Sequence, residues 1–174
     1  QIQCGGAELR REMERWSKLR HPNIVQIMGA SDFNTEFFIL TELMEGSSLY
    51  NMLHDRKGGA VQGSKASWGQ SGPAYLLDGV KGLSYLHTHR PPLVHLDIKS
   101  ANVLIHRGCA TDRGCAKLAD FGLTKTLRSN ETAGPTDAKG RAICTFDYAP
   151  PELLAGQKCD CKADIFSFGV LVRE

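Results

Sequence analysis

Long apolar runs are missing from this sequence of 174 residues. No stretch approaches the roughly 20 consecutive apolar residues that a membrane-spanning helix needs, so we expect no membrane segment within the chain. The net charge is only +2 and the basic residues are scattered, which gives no electrostatic reason to expect a nucleic-acid partner. With 41% hydrophobic residues, the chain can still bury a core of ordinary size.

Paired cysteine motifs are also absent. The six cysteines include no C-x2-C pair of the kind that structural zinc sites use. The polar start of the chain predicts no secretion signal, which favours a reducing compartment. We therefore expect the cysteines to be free thiols without a role in function.

A short polar segment that runs from Val94 to Leu104 carries the chemistry of the chain. Asp97, Lys99 and Asn102 follow one another within it, and Asp120 opens an Asp-Phe-Gly string further along. A carboxylate can accept the proton of an attacking hydroxyl, a lysine can neutralise a phosphoryl group, and asparagine and aspartate oxygens can bind Mg²⁺. The two strings together predict phosphoryl transfer from a nucleotide, with Asp97 and Lys99 as catalytic residues and Asn102 and Asp120 as metal ligands.

These two strings resemble the catalytic loop and the metal-binding motif of protein kinases. The likeness covers nearly the whole chain and is closest to the tyrosine-kinase-like group of serine/threonine kinases. It implies an α+β, bilobal fold truncated at both ends. Residues 1–44 would contain the regulatory helix, the small-lobe strands and the hinge, and residues 45–174 the large lobe up to the start of its central helix. The implied cofactors are ATP and Mg²⁺, and the implied partners are protein substrates.

The same resemblance implies nucleotide-binding residues outside the catalytic loop. The segment 19–25 resembles the junction after the regulatory helix, which makes Glu12 the glutamate that pairs with the ATP-positioning lysine. The segment 41–44 resembles the hinge that binds adenine through backbone groups, with Thr41 as the gatekeeper. The implied nucleotide-binding residues are Glu12, Glu42, Met44, Asn102, Leu104 and Asp120.

Other positions match residues that are structural or that select the substrate in the family. Asp164 resembles the buried aspartate that anchors the catalytic-loop backbone. Thr145 matches the threonine that contacts the catalytic aspartate and lysine in serine/threonine kinases, and Lys99 agrees with it, so serine and threonine substrates are expected. A stacked apolar column between the lobes is implied for Trp16, Ile27, His95 and Phe121.

Departures from the family pattern leave alternatives open. Leu96 stands where the family usually has arginine, and Pro150 where it has alanine, so a pseudokinase that acts as a binding or scaffolding module is a second hypothesis. A small-molecule phosphotransferase is a third. No G-x-G-x-x-G string occurs in the chain. Because of this absence, we expect the isolated fragment to be inactive. Because Asp97, Lys99, Asn102 and Asp120 are all present, we expect an active, intracellular parent kinase, cytoplasmic or on the cytoplasmic side of a membrane.

Hydrophobic periodicity predicts the elements that carry these motifs. Residues 57–73 are rich in glycine, serine, lysine and glutamine and are expected to be a loop or a ragged helix start. Helices are predicted at 8–20, 49–54, 75–87 and 163–174, and strands at 24–28, 37–40, 103–105 and 117–119.

Overall fold

The computed structural model describes Glu14 and the ranges 16–33, 36–54, 65–127 and 144–174. Most of the predicted first helix, including Glu12, therefore lies outside the described residues, as does the polar segment 128–143. Within the described ranges, helices and small antiparallel sheets form an α+β arrangement, as predicted. None of the helices in these ranges combines the length and apolarity needed to cross a membrane.

An antiparallel hairpin of β1 (Ile27–Phe33) and β2 (Glu36–Thr41) confirms the predicted strand pair. Its first strand begins later than the pattern suggested. Ile24 forms a parallel bridge with Leu118 instead, and Val25 N donates to Leu118 O at 2.8 Å. Residues 24 and 25 therefore connect the β1–β2 hairpin to the strand that contains Leu118.

Four α-helices are described: α1 (Leu49–His54), α2 (Lys65–Thr88), α3 (Pro151–Leu154) and α4 (Cys161–Arg173). The predictions for α1 and α4 are confirmed, but α2 begins well before the predicted start at residue 75. Gly69 and Pro73 each disfavour a helix locally. Of the two alternatives predicted for residues 65–73, a loop or a ragged helix start, the structure shows the helix start. Tertiary packing of the same helix through Tyr75, Leu83 and Leu86 outweighs the local cost.

The four later strands form two small sheets around the segment that carries Asp97, Lys99 and Asn102. β3 (Leu93–Val94) pairs with β6 (Lys125–Thr126), and β4 (Val103–His106) pairs with β5 (Cys115–Leu118). The β4–β5 pair confirms the two strands predicted there. β4 follows Asn102 directly and β5 ends just before Asp120, so this hairpin positions both candidate metal ligands.

The main buried core connects the hairpin, α2 and the catalytic segment. Within it, the ring centroid of Phe121 lies 6.3 Å from that of Trp16 and 5.3 Å from that of His95. Ile27 is buried in the same core. The predicted apolar column is therefore present in the described residues.

Two cysteines depart from the expectation of free thiols. Cys109 and Cys115 form a disulfide across the turn between β4 and β5, with their Cα atoms 5.9 Å apart. The spacing of these residues matched no metal or disulfide motif, and only the hairpin geometry brings them together. Cys144, Cys159 and Cys161 form no disulfide, as predicted, and Cys4 lies outside the described residues.

Candidate active site

A buried aspartate of α4 fixes the backbone of the catalytic loop. The backbone N–H groups of His95 and Leu96 each donate to the carboxylate of Asp164 at 2.8 Å, and Asp164 is fully buried. Leu96 has φ +64°, a left-handed conformation that is unfavourable for leucine. The predicted anchoring contact is thus present, and it holds the loop in a shape that the sequence alone disfavours.

A further contact to this aspartate was not foreseen. His87, at the end of α2, places its Nε2 2.8 Å from Asp164 Oδ2. The two residues are 77 positions apart in the sequence, and no local pattern links them. α2, α4 and the catalytic loop therefore meet at a single buried carboxylate.

The catalytic loop brings Asp97, Lys99 and Thr145 into mutual contact. Lys99 Nζ lies 2.7 Å from Asp97 Oδ2 and donates to Thr145 Oγ1 at 3.0 Å. Thr145 Oγ1 in turn donates to Asp97 Oδ1 at 2.9 Å. The threonine that was predicted to contact the aspartate and the lysine therefore does so. Thr145 lies near the start of the described range 144–174.

Asn102 and Asp120 lie at the open end of the β4–β5 hairpin. Asn102 Nδ2 donates to the backbone and side-chain oxygens of Asp97, both at 2.9 Å, which leaves the side-chain oxygen of Asn102 as the atom that could bind a metal. The N–H of Ala119 donates to Asn102 O at 2.9 Å. Asp120 is exposed and has φ +62°. The backbone bond thus ties together the two chain positions predicted to hold the metal.

The chemistry of this pair fits Mg²⁺ better than a metal held by protein alone. In the described part of the chain, no group of three or more His, Cys, Asp or Glu residues could hold a metal ion. Mg²⁺ usually binds to proteins through one or two oxygen ligands and completes its coordination with substrate phosphates and water. One carboxylate and one amide oxygen suit that mode.

The predicted hinge is tied to β5 through the side chain of Glu42. Both of its carboxylate oxygens lie 2.8 Å from Lys117 Nζ, and Oε1 accepts from the N–H of Gln26 at 2.7 Å. Burial alone would raise the pKa of Glu42, but the hydrogen bonds from Lys117 and Gln26 outweigh it and hold this pKa below its usual value. The ion pair was not predicted from the sequence, where its members are 75 positions apart.

The remaining hinge residues lie beside β4. Ser48 bridges to Leu104, and the backbones of residues 46 and 47 bond to Ile105. Met44 and Leu104 are half-buried, whereas Leu43 is 80% exposed. The structure therefore brings the predicted hinge segment next to Leu104. Nucleotide binding by these residues stays a prediction. Glu12, the remaining member, lies outside the described residues.

His95 is held as a neutral imidazole. Its ring is fully buried, and this burial lowers its pKa despite the nearby carboxylates of Asp164 and Asp97. The Nε2 atom lies 3.1 Å from Ala119 O, and Nδ1 lies 3.3 Å from the N–H of Asp97. A neutral ring with its proton on Nε2 satisfies both contacts and links the catalytic loop to the strand end before Asp120.

A cavity of about 660 Å³ opens beside the catalytic cluster and includes Lys99 and Thr145 in its wall. Glu174, at its edge, accepts hydrogen bonds from Ser100 Oγ at 2.9 Å and Tyr148 Oη at 2.5 Å. Burial and the bond to Glu174 raise the pKa of Tyr148. No local sequence pattern predicts this cavity, because its walls come from segments far apart in the chain. The remaining lining residues are Tyr50, His54, Ala101, Asp147, Val170 and Arg173.

A family model described as the protein kinase domain matches residues 1–174. The chain belongs to the protein kinase family. The predicted family and the predicted α+β fold are confirmed. The roles of Asp97, Lys99, Asn102 and Asp120 stay predictions.

Curated relatives are similar along nearly the whole chain. The serine/threonine-protein kinase CTR1 of Arabidopsis thaliana is 36% identical over 96% of this chain and 18% of its own length. The leucine-rich repeat receptor protein kinase MSL1 of Oryza sativa subsp. japonica is 36% identical over 99% of this chain and 11% of its own length. The probable serine/threonine-protein kinase drkB of Dictyostelium discoideum is 34% identical over 96% of this chain and 21% of its own length. The chain therefore spans about a fifth or less of these relatives.

Proposed function

We propose that the protein containing this kinase domain transfers a phosphoryl group from ATP to serine or threonine side chains of protein substrates inside the cell. The observation that carries the proposal is the arrangement around Asp97. One carboxylate oxygen accepts from Thr145, and the other lies within 3 Å of Lys99 Nζ and Asn102 Nδ2. A carboxylate held in this way has a fixed orientation toward an incoming hydroxyl.

The geometry supports a division of labour within the loop. Asp97 orients the substrate hydroxyl and accepts its proton as the new bond to phosphorus forms. Lys99 neutralises negative charge on the transferred group, and its bond to Thr145 keeps the ammonium beside Asp97. Asn102 and Asp120 would hold Mg²⁺, whose charge neutralises the nucleotide phosphates when it is bound. The hinge backbone at Glu42 and Met44 would bind adenine, with Leu104 beside it and Glu12 as the helix glutamate.

Two observations support a protein substrate with serine or threonine as the acceptor. The cavity beside the cluster shares Lys99 and Thr145 with it, so residues next to an acceptor could occupy that space. Thr145 contacts both catalytic residues, as expected of serine/threonine kinases. The relatives CTR1 and drkB are also described as serine/threonine-protein kinases.

The decisive experiment measures phosphoryl transfer by the full-length protein. Radiolabelled ATP is supplied with Mg²⁺ and a library of serine, threonine and tyrosine peptides. We expect labelled phosphoserine and phosphothreonine. Asp97→Asn should lower turnover by roughly 10²–10⁴, the range for loss of a general base.

Asp112→Asn is the matched control, because Asp112 is exposed on the turn between β4 and β5. It should retain turnover near that of the unmodified protein. Near-normal turnover of Asp97→Asn would refute the base assignment. Binding of Mg-ATP without transfer to any peptide would favour the pseudokinase alternative over the proposed function.

A further inference from the structure

The closed end of the β4–β5 hairpin is crosslinked between two cysteines that differ in accessibility. Cys115 is the first residue of β5 and is 9% exposed, whereas Cys109 lies in the turn and is half-buried. Their Cα atoms are 5.9 Å apart, within the range that disulfides span in proteins. In a reducing compartment, disulfides of mesophilic proteins are usually transient, catalytic or redox-sensing. If this kinase domain is intracellular, we therefore expect the Cys109–Cys115 disulfide to have one of these roles.

The turn keeps the two sulfur atoms together independently of the bond between them. Gly114 has φ +75°, and a Cβ at this position would meet His106 O at 2.6 Å, so the turn needs glycine. Thr111 bonds to Gly114 through both its carbonyl, at 2.9 Å, and its hydroxyl, at 2.7 Å. These contacts fix the backbone between Cys109 and Cys115 and favour reclosure of the bond after reduction.

The same turn is attached to α2. Arg113 Nη1 donates to Asp78 Oδ2 at 2.9 Å, and this carboxylate also accepts from the N–H of Ala116 at 3.2 Å. The guanidinium of Arg113 lies 5.4 Å from the ring centroid of Tyr75. The closed end of the hairpin therefore remains docked when the disulfide is absent, so reduction changes its rigidity and not its overall position.

We propose that Cys109 and Cys115 form a redox modification site, oxidised reversibly by low-molecular-weight disulfides such as glutathione disulfide. The thiolate of the more exposed Cys109 attacks glutathione disulfide, which forms a mixed disulfide and releases one glutathione thiolate. The thiolate of Cys115 then attacks the Cys109 sulfur and expels the second glutathione thiolate. Two protein thiols lose two protons and two electrons, and one glutathione disulfide becomes two glutathione thiols.

The redox site and the two candidate metal ligands lie at opposite ends of the same β4–β5 hairpin. Its crosslink closes one end of the hairpin, and the other end carries Asn102 and Asp120, joined by the Ala119–Asn102 hydrogen bond. Oxidation therefore restricts the motion of the element that presents both candidate metal ligands. Two links rest on the proposed function: the link to metal binding, and the reducing compartment that follows from a location inside the cell.

The test begins with the 174-residue chain, treated with glutathione disulfide or with reduced glutathione at neutral pH. Peptide mapping by mass spectrometry should find Cys109 linked to Cys115 after oxidation and both residues as thiols after reduction. The oxidised chain should melt roughly 4–9 °C higher, as expected for a crosslink that closes a short loop in a chain of this size. Amide hydrogen exchange should be slower along β4 and β5 in the oxidised form.

Two variants make the result specific. Cys115→Ser should stop the reaction at the first step, so that Cys109 carries one glutathione and the increase in melting temperature is lost. Cys161→Ser is the matched control, because Cys161 is a free cysteine of intermediate exposure on α4, and it should show the full response. Linkage of either thiol to another cysteine, or equal melting temperatures and exchange rates in both states, would overturn the proposal.

A parallel measurement separates this proposal from the proposed function. The KM for Mg-ATP of the full-length protein is determined after oxidation and after reduction, and it should be lower for the oxidised form. A redox-dependent exchange rate without any phosphoryl transfer would leave the modification site standing and would count against the proposed kinase activity. An unchanged KM in an active enzyme would overturn the link to metal binding.

Discussion

Removal of the ammonium group that holds the hinge should destabilise the fold measurably. Lys117→Met keeps the length of the side chain but leaves the carboxylate of Glu42 without its cation. The two side chains are only 11% and 22% exposed, so their charges are poorly solvated. Breaking a buried ion pair by removing one partner costs about 3–5 kcal/mol. Because Glu42 is partly solvated and keeps the Gln26 N–H, we expect a loss of about 2–3 kcal/mol in the free energy of unfolding.

A double-mutant cycle tests this reasoning by urea denaturation at pH 7. Glu42→Gln should also destabilise the chain, because it leaves the ammonium of Lys117 buried without a carboxylate. The double variant should lose less than the sum of the two single losses, by at least about 1 kcal/mol, since it leaves neither charge unpaired. Lys81→Met is the matched control: its ammonium is 3.8 Å from Asp78 and its side chain is 55% exposed. It should cost no more than about 0.5 kcal/mol.

The pH dependence supplies an independent check on the same pair. The pKa of Glu42 is lowered in the folded state, so the stabilisation by its charge is present above its ordinary value of 4.5 and is lost as the pH falls through the folded-state pKa. The stability difference between the unmodified chain and Lys117→Met should therefore shrink below pH 4.5. Additive single losses, or a Lys117→Met variant no less stable than Lys81→Met, would refute the account.

Three further outcomes are expected. Because burial lowers the pKa of His95, its contribution to stability is complete above pH 6.5 and decreases as the pH falls below that value. His95→Phe should therefore make the unfolding free energy less dependent on pH between pH 5 and 7. An unchanged slope would contradict this. Leu96 cannot pair with a phosphate and is buried beside Ala149 and Leu153. Full-length protein is therefore treated with phosphatase, and mass spectrometry confirms that it is unphosphorylated between Asp120 and Glu152. Its turnover should stay within tenfold of that of the untreated protein. The isolated 174-residue chain, which contains no glycine-rich phosphate-binding string, should transfer no label from ATP to a basic protein, and measurable transfer by a pure monomer would disprove this.

The catalytic loop could be predicted because its chemistry is local. Asp97, Lys99 and Asn102 lie within six consecutive residues, so a short loop must bring them together whatever surrounds it. The order of the motifs then placed Thr145 and Asp164 beside the loop through the family resemblance. Both contacts are present, although neither follows from the local sequence.

The contacts that escaped prediction join residues distant in the chain or depend on the shape of a turn. Lys117 reads as a polar residue in an otherwise apolar strand, and only the docking of the β1–β2 hairpin onto β5 reveals Glu42 as its partner. Cys109 and Cys115 become neighbours through the pairing of β4 with β5 and the left-handed Gly114 in the turn between them. The early start of α2 was missed for a similar reason, since the local cost of Gly69 and Pro73 is visible in the sequence and the compensating packing is not.

The contact between Asp164 and the catalytic loop has a consequence for the order in which a ribosome-bound chain can acquire its structure. The carboxylate that holds His95 and Leu96 is encoded 69 and 68 residues after them. At about 5–20 residues per second, the loop has been synthesised for several seconds before its anchor emerges. During that interval, no hydrogen bond from Asp164 stabilises the unfavourable left-handed conformation of Leu96. The catalytic loop of a nascent chain is therefore fully synthesised well before it can adopt its folded conformation. If a ribosome stalls before α4, the nascent chain contains the residues proposed for phosphoryl transfer, but the loop that carries them lacks its anchor.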